Sequence, residues 1–458
     1  MGVVESLSAQ LKSKVSECFE LTSIVFRLAD APEYINNDVV SYANDIDKHF
    51  ANYKSHKLIV FLKELREQYN ISYDAVTVAS AYLDIDNGKV VVNPLVHVSK
   101  INEVDNRWSE SAYKHFVSLL DDFYQKTKFR EFYIQHTKLY SVAVERMDIL
   151  LQKINVKWFE SLFENEFFIP TVIVSLSNGE HNYAFTTPEV KDMNGIVIGS
   201  GVDSEGLPIY SLNKIPVIIH EWLHHYTNKR IEKDWEEIRL SAFKIYSYVK
   251  EDMQRNAYES PQVMINEWFT NLLSIAYVQS NPMRNFSIEH LIRGYHYKGF
   301  IWMERSVEFV GHFFKNRDRF TDLTDYMPQI VGFINYTADN FEQVLNEHIN
   351  CCPYIVDVFP TLGSRFDTDV DNAIEIRFSE SMFGSHGLSS HGNEDVEMIP
   401  FEGVMPSWKD DYTFVILLKK GVLKKGKKYG FQLDSIPFQS SKTYPMKSNY
   451  TYVFNTGE

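Results

Sequence analysis

Lys214-Ile215-Pro216-Val217-Ile218-Ile219-His220-Glu221-Trp222-Leu223-His224 is the most informative run of the chain, and its last five residues spell H-E-x-x-H. On a helix, positions four apart share one face. His220 and His224 can therefore aim two ring nitrogens at a single metal ion. Glu221 lies about 100° around the same helix, within reach of a water at that ion. Pro216 suits a first helical turn. Ile218, Ile219, Trp222, Leu223 and Tyr226 supply apolar faces, and Asn228 with Lys229 and Arg230 suits a C-terminal end. The competing reading is a helix with two solvated histidines, which the apolar flanks disfavour. His225 points about 100° away from His224; it is expected to meet a nearby acid or line a pocket, and Trp222 to be core.

A catalytic zinc needs a third protein ligand and leaves its fourth position to water. The spacing H-E-x-x-H-x-x-G-x-x-H is excluded, because Thr227 and Arg230 stand at its Gly and last His places. Glu236 or Glu237 is a second choice, in a stretch that reads as a solvated helix face. Glu267 is the third. It is a lone acid inside the apolar helix pattern Met264 to Leu273. Burying such a carboxylate is costly unless it is paired or bound to a metal.

His220-Glu221-x-x-His224 followed by Asn266-Glu267-Trp268-Phe269-Thr270-Asn271 resembles the gluzincins, zinc metallopeptidases of the thermolysin-like kind, whose second helix reads N-E-x-x-S-D. Thr270 takes the Ser place and Asn271 the Asp place. The resemblance implies zinc as cofactor and a peptide or protein as substrate. It implies Glu267 as third ligand and Glu221 as proton carrier. Asn271 would support His220 from behind, as an uncharged and weaker acceptor than Asp. An oxyanion donor is implied from later in the chain, where Tyr295, His296 and Tyr297 are equal candidates. Leu21 to Ala29, Pro32-Glu33-Tyr34, His49-Phe50-x-x-Tyr53-Lys54 and Tyr73-Asp74-Ala75-Val76 are similar to a bacterial family known mainly as a domain of unknown function with a gluzincin-like motif, over roughly residues 15 to 345.

Composition bounds the remainder. A chain of 458 residues allows two or three domains, and 44% hydrophobic residues can fill a core. A formal charge of −15 argues against nucleic-acid or anionic-membrane binding. No apolar run is long enough to span a bilayer. Met1 to Ser6 lacks the basic start and apolar run of a signal peptide, and meets the myristoylation pattern at Gly2 and Ser6 only formally. Three cysteines make no disulfide framework; Cys351 and Cys352 are expected as free thiols at a domain junction.

Helical periodicity covers Ser6 to Leu28, Val39 to Tyr69, Ser109 to Gln125 and Leu139 to Phe163, with a break expected within Phe132 to Leu139. Strand patterns follow at Phe168 to Leu176, Tyr183 to Thr186 and Gly195 to Gly199. Asn178 to Tyr183 is expected at an edge that pairs with an extended peptide, with Asn182 and Tyr183 as its contact residues, or else as an ordinary hairpin turn. After Pro353, Tyr354 to Phe359, Ala373 to Phe378, Val396 to Phe401, Thr413 to Leu418, Tyr429 to Leu433 and Tyr450 to Phe454 read as strands. Phe359-Pro360-x-x-Gly363 and Ile374 to Met382 are similar to bacterial Ig-like domains with an F-S-E-x-M signature. That likeness implies an exported protein, periplasmic or at the cell surface after loss of a signal, with a cytoplasmic location left open. Lys419 to Lys428 reads as a solvated basic turn.

The expected class is α+β: a mostly helical zincin-like catalytic region, 1–350, with its helical part at 1–165 and a small mixed sheet and metal helices at 166–350. An all-β Ig-like sandwich follows at 353–458. The expected function is a zinc hydrolase cleaving peptide bonds. The alternative is a binding protein with little or no turnover on the same scaffold, its β module holding a partner or glycan. Oligomeric state is not legible.

Overall fold

Every residue of helix α1, Glu17–Leu28, is buried, acids included. Glu20 is wholly enclosed and accepts hydrogen bonds from the Tyr42 hydroxyl at 2.6 Å, the Leu176 N–H at 2.9 Å and the Ser177 hydroxyl at 3.2 Å. Burial pushes its carboxyl above the ordinary range, and these donors oppose the rise. The computed structural model describes residues 10–178, 181–187, 190, 193–283, 286–368, 370–384, 386–390 and 395–457. They form an α+β protein of two compact units. The first comprises residues up to 236, 266–282 and 310–329; the second comprises 237–265, 283–309 and 330–458. Residues 1–9, with the Gly2 and Ser6 motif, and Gly179 and Glu180 lie outside the described residues.

In the first unit, Ser13–Lys14 (β1), Thr171–Ser175 (β2), Asn182–Phe185 (β3) and Gly195–Gly199 (β4) build a small mixed sheet in the order β1-β2-β4-β3. β1, β2 and β4 run parallel; β3 is antiparallel to β4 and closes the edge. β4 is buried throughout and β2 nearly so, which is why both read as unbroken apolar runs. Gly195 is required by close approach. A Cβ there would lie 2.3 Å from the Thr171 carbonyl oxygen and 2.5 Å from the Phe185 ring. Gly195→Ala is therefore expected to destabilise by about 1–3 kcal/mol or more, read as a lower denaturant midpoint.

Several helices differ from their sequence-based limits. α1 begins at Glu17, because Ser13–Lys14 is drawn into the sheet and Ser13 is held by Asp148 at 2.7 Å. Val39 to Tyr69 is two helices, Val40–His49 and Lys57–Tyr69, parted around the fully buried Phe50; His56 Nδ1 caps the second by accepting from the Leu58 N–H. Glu110–Thr127 forms as expected. The break within Phe132 to Leu139 falls at His136, between helices Phe129–Gln135 and Thr137–Leu151, and a further break separates Val156–Phe163. Among the described residues, no helix is long and apolar enough to cross a membrane.

In the second unit the helix Phe341–Cys351 gives way to strands at Ile355–Phe359, and all three cysteines of the chain are free. One sheet orders Val404–Asp410, Thr413–Leu418, Ala373–Phe378 and Ile355–Phe359. The other orders Arg365–Phe366, Tyr450–Thr456, Lys428–Leu433 and Leu388–Ser389. Ile374, Ile376, Phe414 and Ile416 of the first share one core with Phe431, Leu433, Tyr452 and Phe454 of the second. Val404–Asp410 escaped the sequence reading because it lies at a sheet edge, half-buried at most. Val396 to Phe401 yields only a two-residue strand, Glu397–Met398, before a 3-10 turn.

His296, on helix Ile288–Tyr297, and His348, on Phe341–Cys351, meet edge to face at 5.3 Å, and both pack on Tyr444. The Arg293 guanidinium lies 4.0 Å over the Tyr444 ring. Burial lowers His296 to about 3 and His348 to about 4, and Arg293 pushes both the same way. Both are therefore neutral when folded, whereas the unfolded chain protonates them near pH 6.5. Their stabilisation is intact above pH 6.5 and is lost as pH falls toward 4, by up to about 1.4 kcal/mol per unit for each. Urea midpoints between pH 7.5 and 4.5 should decline, less steeply in His296→Phe.

Candidate metal centre

Helix α3, Lys214–Lys233, carries His220, Glu221 and His224; helix α4, Pro261–Ser280, carries Glu267. α3 runs past the end expected near Asn228–Arg230. Arg230 is buried there, donating to the Tyr226 carbonyl one turn back and to Glu166 at 3.0 Å. Three donor atoms converge. His220 Nε2 and His224 Nε2 are 3.0 Å apart; Glu267 Oε1 is 3.3 Å from His224 Nε2 and Oε2 is 3.4 Å from His220 Nε2. Tetrahedral ligands about 2.0–2.1 Å from zinc stand about 3.4 Å from one another, so the spacing fits that ion. Among the described residues, these three form the only such cluster of His, Cys, Asp or Glu. Their side chains keep 14–18% exposure, so the cluster is not sealed from solvent. Glu236 and Glu237 are exposed and stand outside the cluster.

The electrostatics ask for a positive charge at the centre. Burial raises the Glu267 carboxyl, but His224 and His220 outweigh it and hold it well below the usual range. Burial lowers His224, yet Glu267 overrides this and lifts it to about 9. Each shift arises from attraction between imidazole and carboxylate at one point, and a divalent cation placed there would meet the same donors in their deprotonated forms.

Supporting contacts fix the geometry. With Nε2 aimed at the cluster, His224 Nδ1–H donates to Asn228 Oδ1 at 3.1 Å, with Thr270 Oγ1 at 3.4 Å. Thr270 also meets Thr227 at 2.6 Å, tying α4 to α3. The expected bond from Asn271 to His220 is not made: among the described residues, His220 Nδ1 and the Asn271 amide nitrogen are both buried without partners. Asn228 takes the supporting role instead, on the other histidine. Its place four residues after His224 was the available signal. Among the described residues, His225 meets no acid. Its Nε2 lies 3.1 Å from the Gly195 carbonyl and its Nδ1 3.2 Å from the Thr186 hydroxyl, so it braces α3 against β4. Burial lowers it to about 3, which keeps it neutral. Trp222 is fully buried core.

Burial also raises the Glu221 carboxyl, against the pull of His220 and His224, and the Ala184 N–H of β3 hydrogen-bonds to it. Asn182 and Tyr183 do lie on the edge strand. The Gly199 N–H donates to the His181 carbonyl, which sets the phase of pairing. Residues 181, 183 and 185 bond toward β4, and the peptide groups of Asn182 and Ala184 face outward. The Tyr183 side chain packs with Phe19, Phe185 and Val197 and its peptide group pairs with β4, so neither is presented at the edge. Tyr295, His296 and Tyr297 belong to the second unit. There Tyr297 donates to the Thr443 carbonyl, Arg293 donates to His296 Nδ1 at 3.3 Å, and Tyr295 packs near Phe300 under Lys298.

A family model described as a domain of unknown function (DUF4932) matches residues 8–333, a span that contains the whole His220, His224 and Glu267 cluster. No curated protein and no solved structure matches the chain.

Proposed function

The chain belongs to the DUF4932 family, and for it we propose a zinc-dependent hydrolase, a metallopeptidase of gluzincin type that cleaves peptide bonds with water. One observation carries the reading: two imidazoles and a carboxylate stand 3.0–3.4 Å apart with Glu221 on the same helix. Zinc held by His220, His224 and Glu267 would supply Lewis acidity, polarising a carbonyl and lowering the pKa of water toward about 7. Glu221 takes the proton of the attacking water and hands it to the leaving amine. Its carboxyl suits that traffic, since burial raises it while the hydrogen bond from Ala184 keeps it aimed. β3 is the edge strand of the sheet, along which an extended peptide can add as a further strand while the Ala184 N–H stays on Glu221.

The test is metal removal. Native mass spectrometry should find one zinc per chain. A chelator should abolish cleavage of a mixed peptide library, and one equivalent of zinc should restore it. Cleavage that persists without metal, or a chain that retains no zinc, would refute the reading.

A further inference from the structure

Tyr73 is held in a backbone conformation that aromatic residues avoid, with φ 49° and ψ −120°, just before helix α2, Asp74–Ala81. The surroundings enforce it. The Tyr34 hydroxyl donates to the Tyr73 carbonyl at 3.0 Å, and Arg107 bonds the Asp74 carboxylate at 2.7 Å and reaches the Ser72 carbonyl at 3.4 Å. A glycine would accept this conformation without strain. Yet a tyrosine stands here with its surface 47% exposed, so the strain is not offset by deep burial of its ring. Strained positions of this kind gather at ligand-binding sites.

The ring is presented at the end of the edge strand. Tyr73 meets His181 edge to face at 6.0 Å, and His181 stacks on Tyr183 at 6.2 Å and 11°. Among the described residues, the buried Tyr183 hydroxyl has no hydrogen-bond partner. Burial pushes this hydroxyl above its ordinary range, and Asp74, Glu33, Tyr73 and Glu221 push it the same way. His181 is three residues before Ala184, whose N–H binds Glu221, or roughly 10 Å along the strand. A peptide added to β3 turns alternate side chains to opposite faces. One set would face α3. The other set would face the side on which Tyr183 packs, where Tyr73 and His181 stand.

We propose that Tyr73 and His181 form a substrate subsite that selects an aromatic or large apolar side chain of the bound peptide. The inference rests on the peptide-hydrolase reading above and names its specificity. Antiparallel addition, the stronger pairing per residue, places the subsite on the carboxyl side of the cleaved bond, roughly two to three residues away.

The test uses one peptide sequence carrying Phe, Leu, Ala or Asp at a single position in turn. Cleavage is measured with the zinc-loaded wild type, Tyr73→Phe and Tyr73→Gly. Binding of the same peptides is measured by fluorescence anisotropy in the Glu221→Gln background, with and without each Tyr73 change. Tyr73→Gly should reduce the preference for Phe over Ala roughly three- to tenfold in both readouts, while the melting temperature holds or rises. Tyr73→Phe should keep the preference. A protein that binds with Tyr73-dependent selectivity but cuts nothing would uphold the subsite and defeat the hydrolase reading. Profiles unchanged by Tyr73→Gly in both readouts, or a wild type with no aromatic preference, would overturn the subsite.

Discussion

Glu221→Gln should lower peptide hydrolysis by about 10²- to 10⁴-fold, the usual contribution of a positioned acid–base group, with one zinc still bound per chain. The amide matches the carboxylate in size and can still accept the hydrogen bond from the Ala184 N–H. It cannot take a proton from water. His220, His224 and Glu267 keep their mutual spacing, because that spacing is set by α3 and by its contact with α4 through Thr227 and Thr270. Zinc content and hydrolysis should therefore separate. A variant that loses zinc together with activity would place Glu221 among the ligands, and one that keeps full activity would remove it from the chemistry.

Glu267→Ala should do the reverse and strip the site of its ion. Loss of a supporting contact alone weakens metal binding about 10- to 100-fold, so loss of a direct ligand should exceed about 100-fold. Zinc titration by calorimetry against Glu236→Ala makes the comparison, because Glu236 is an exposed acid outside the cluster and its loss should leave affinity unchanged. The helices should stay together in Glu267→Ala, since the Thr227–Thr270 hydrogen bond and the buried faces of α3 and α4 do not depend on the carboxylate. Equal zinc affinity in the two variants would refute the ligand assignment.

The expectations that held were local ones. His220 and His224 share a face because four residues make about one helical turn, and no distant contact is needed to say so. The apolar runs at β2 and β4 marked buried strands because residues enclosed on both faces need no polar alternation. Errors arose where a distant partner outweighed a local preference. Ser13 and Lys14 leave the helical pattern because β2 offers a ladder to pair with. Asn271 is a different case: it has the position of a supporting residue, but among the described residues His220 Nδ1 makes no hydrogen bond, and it is His224 that is supported, by Asn228 one turn along α3.

Periodicity alone determined a two-histidine helix beside a small sheet, because spacing along one element is a property of the backbone. Only tertiary packing brought the Glu267 carboxylate, 43 residues beyond His224, to 3.3 Å from that histidine. Only packing set Tyr73 at positive φ beside His181. Those placements arise from contacts between segments far apart in the chain, and nothing in the local pattern of either partner encodes the distance between them.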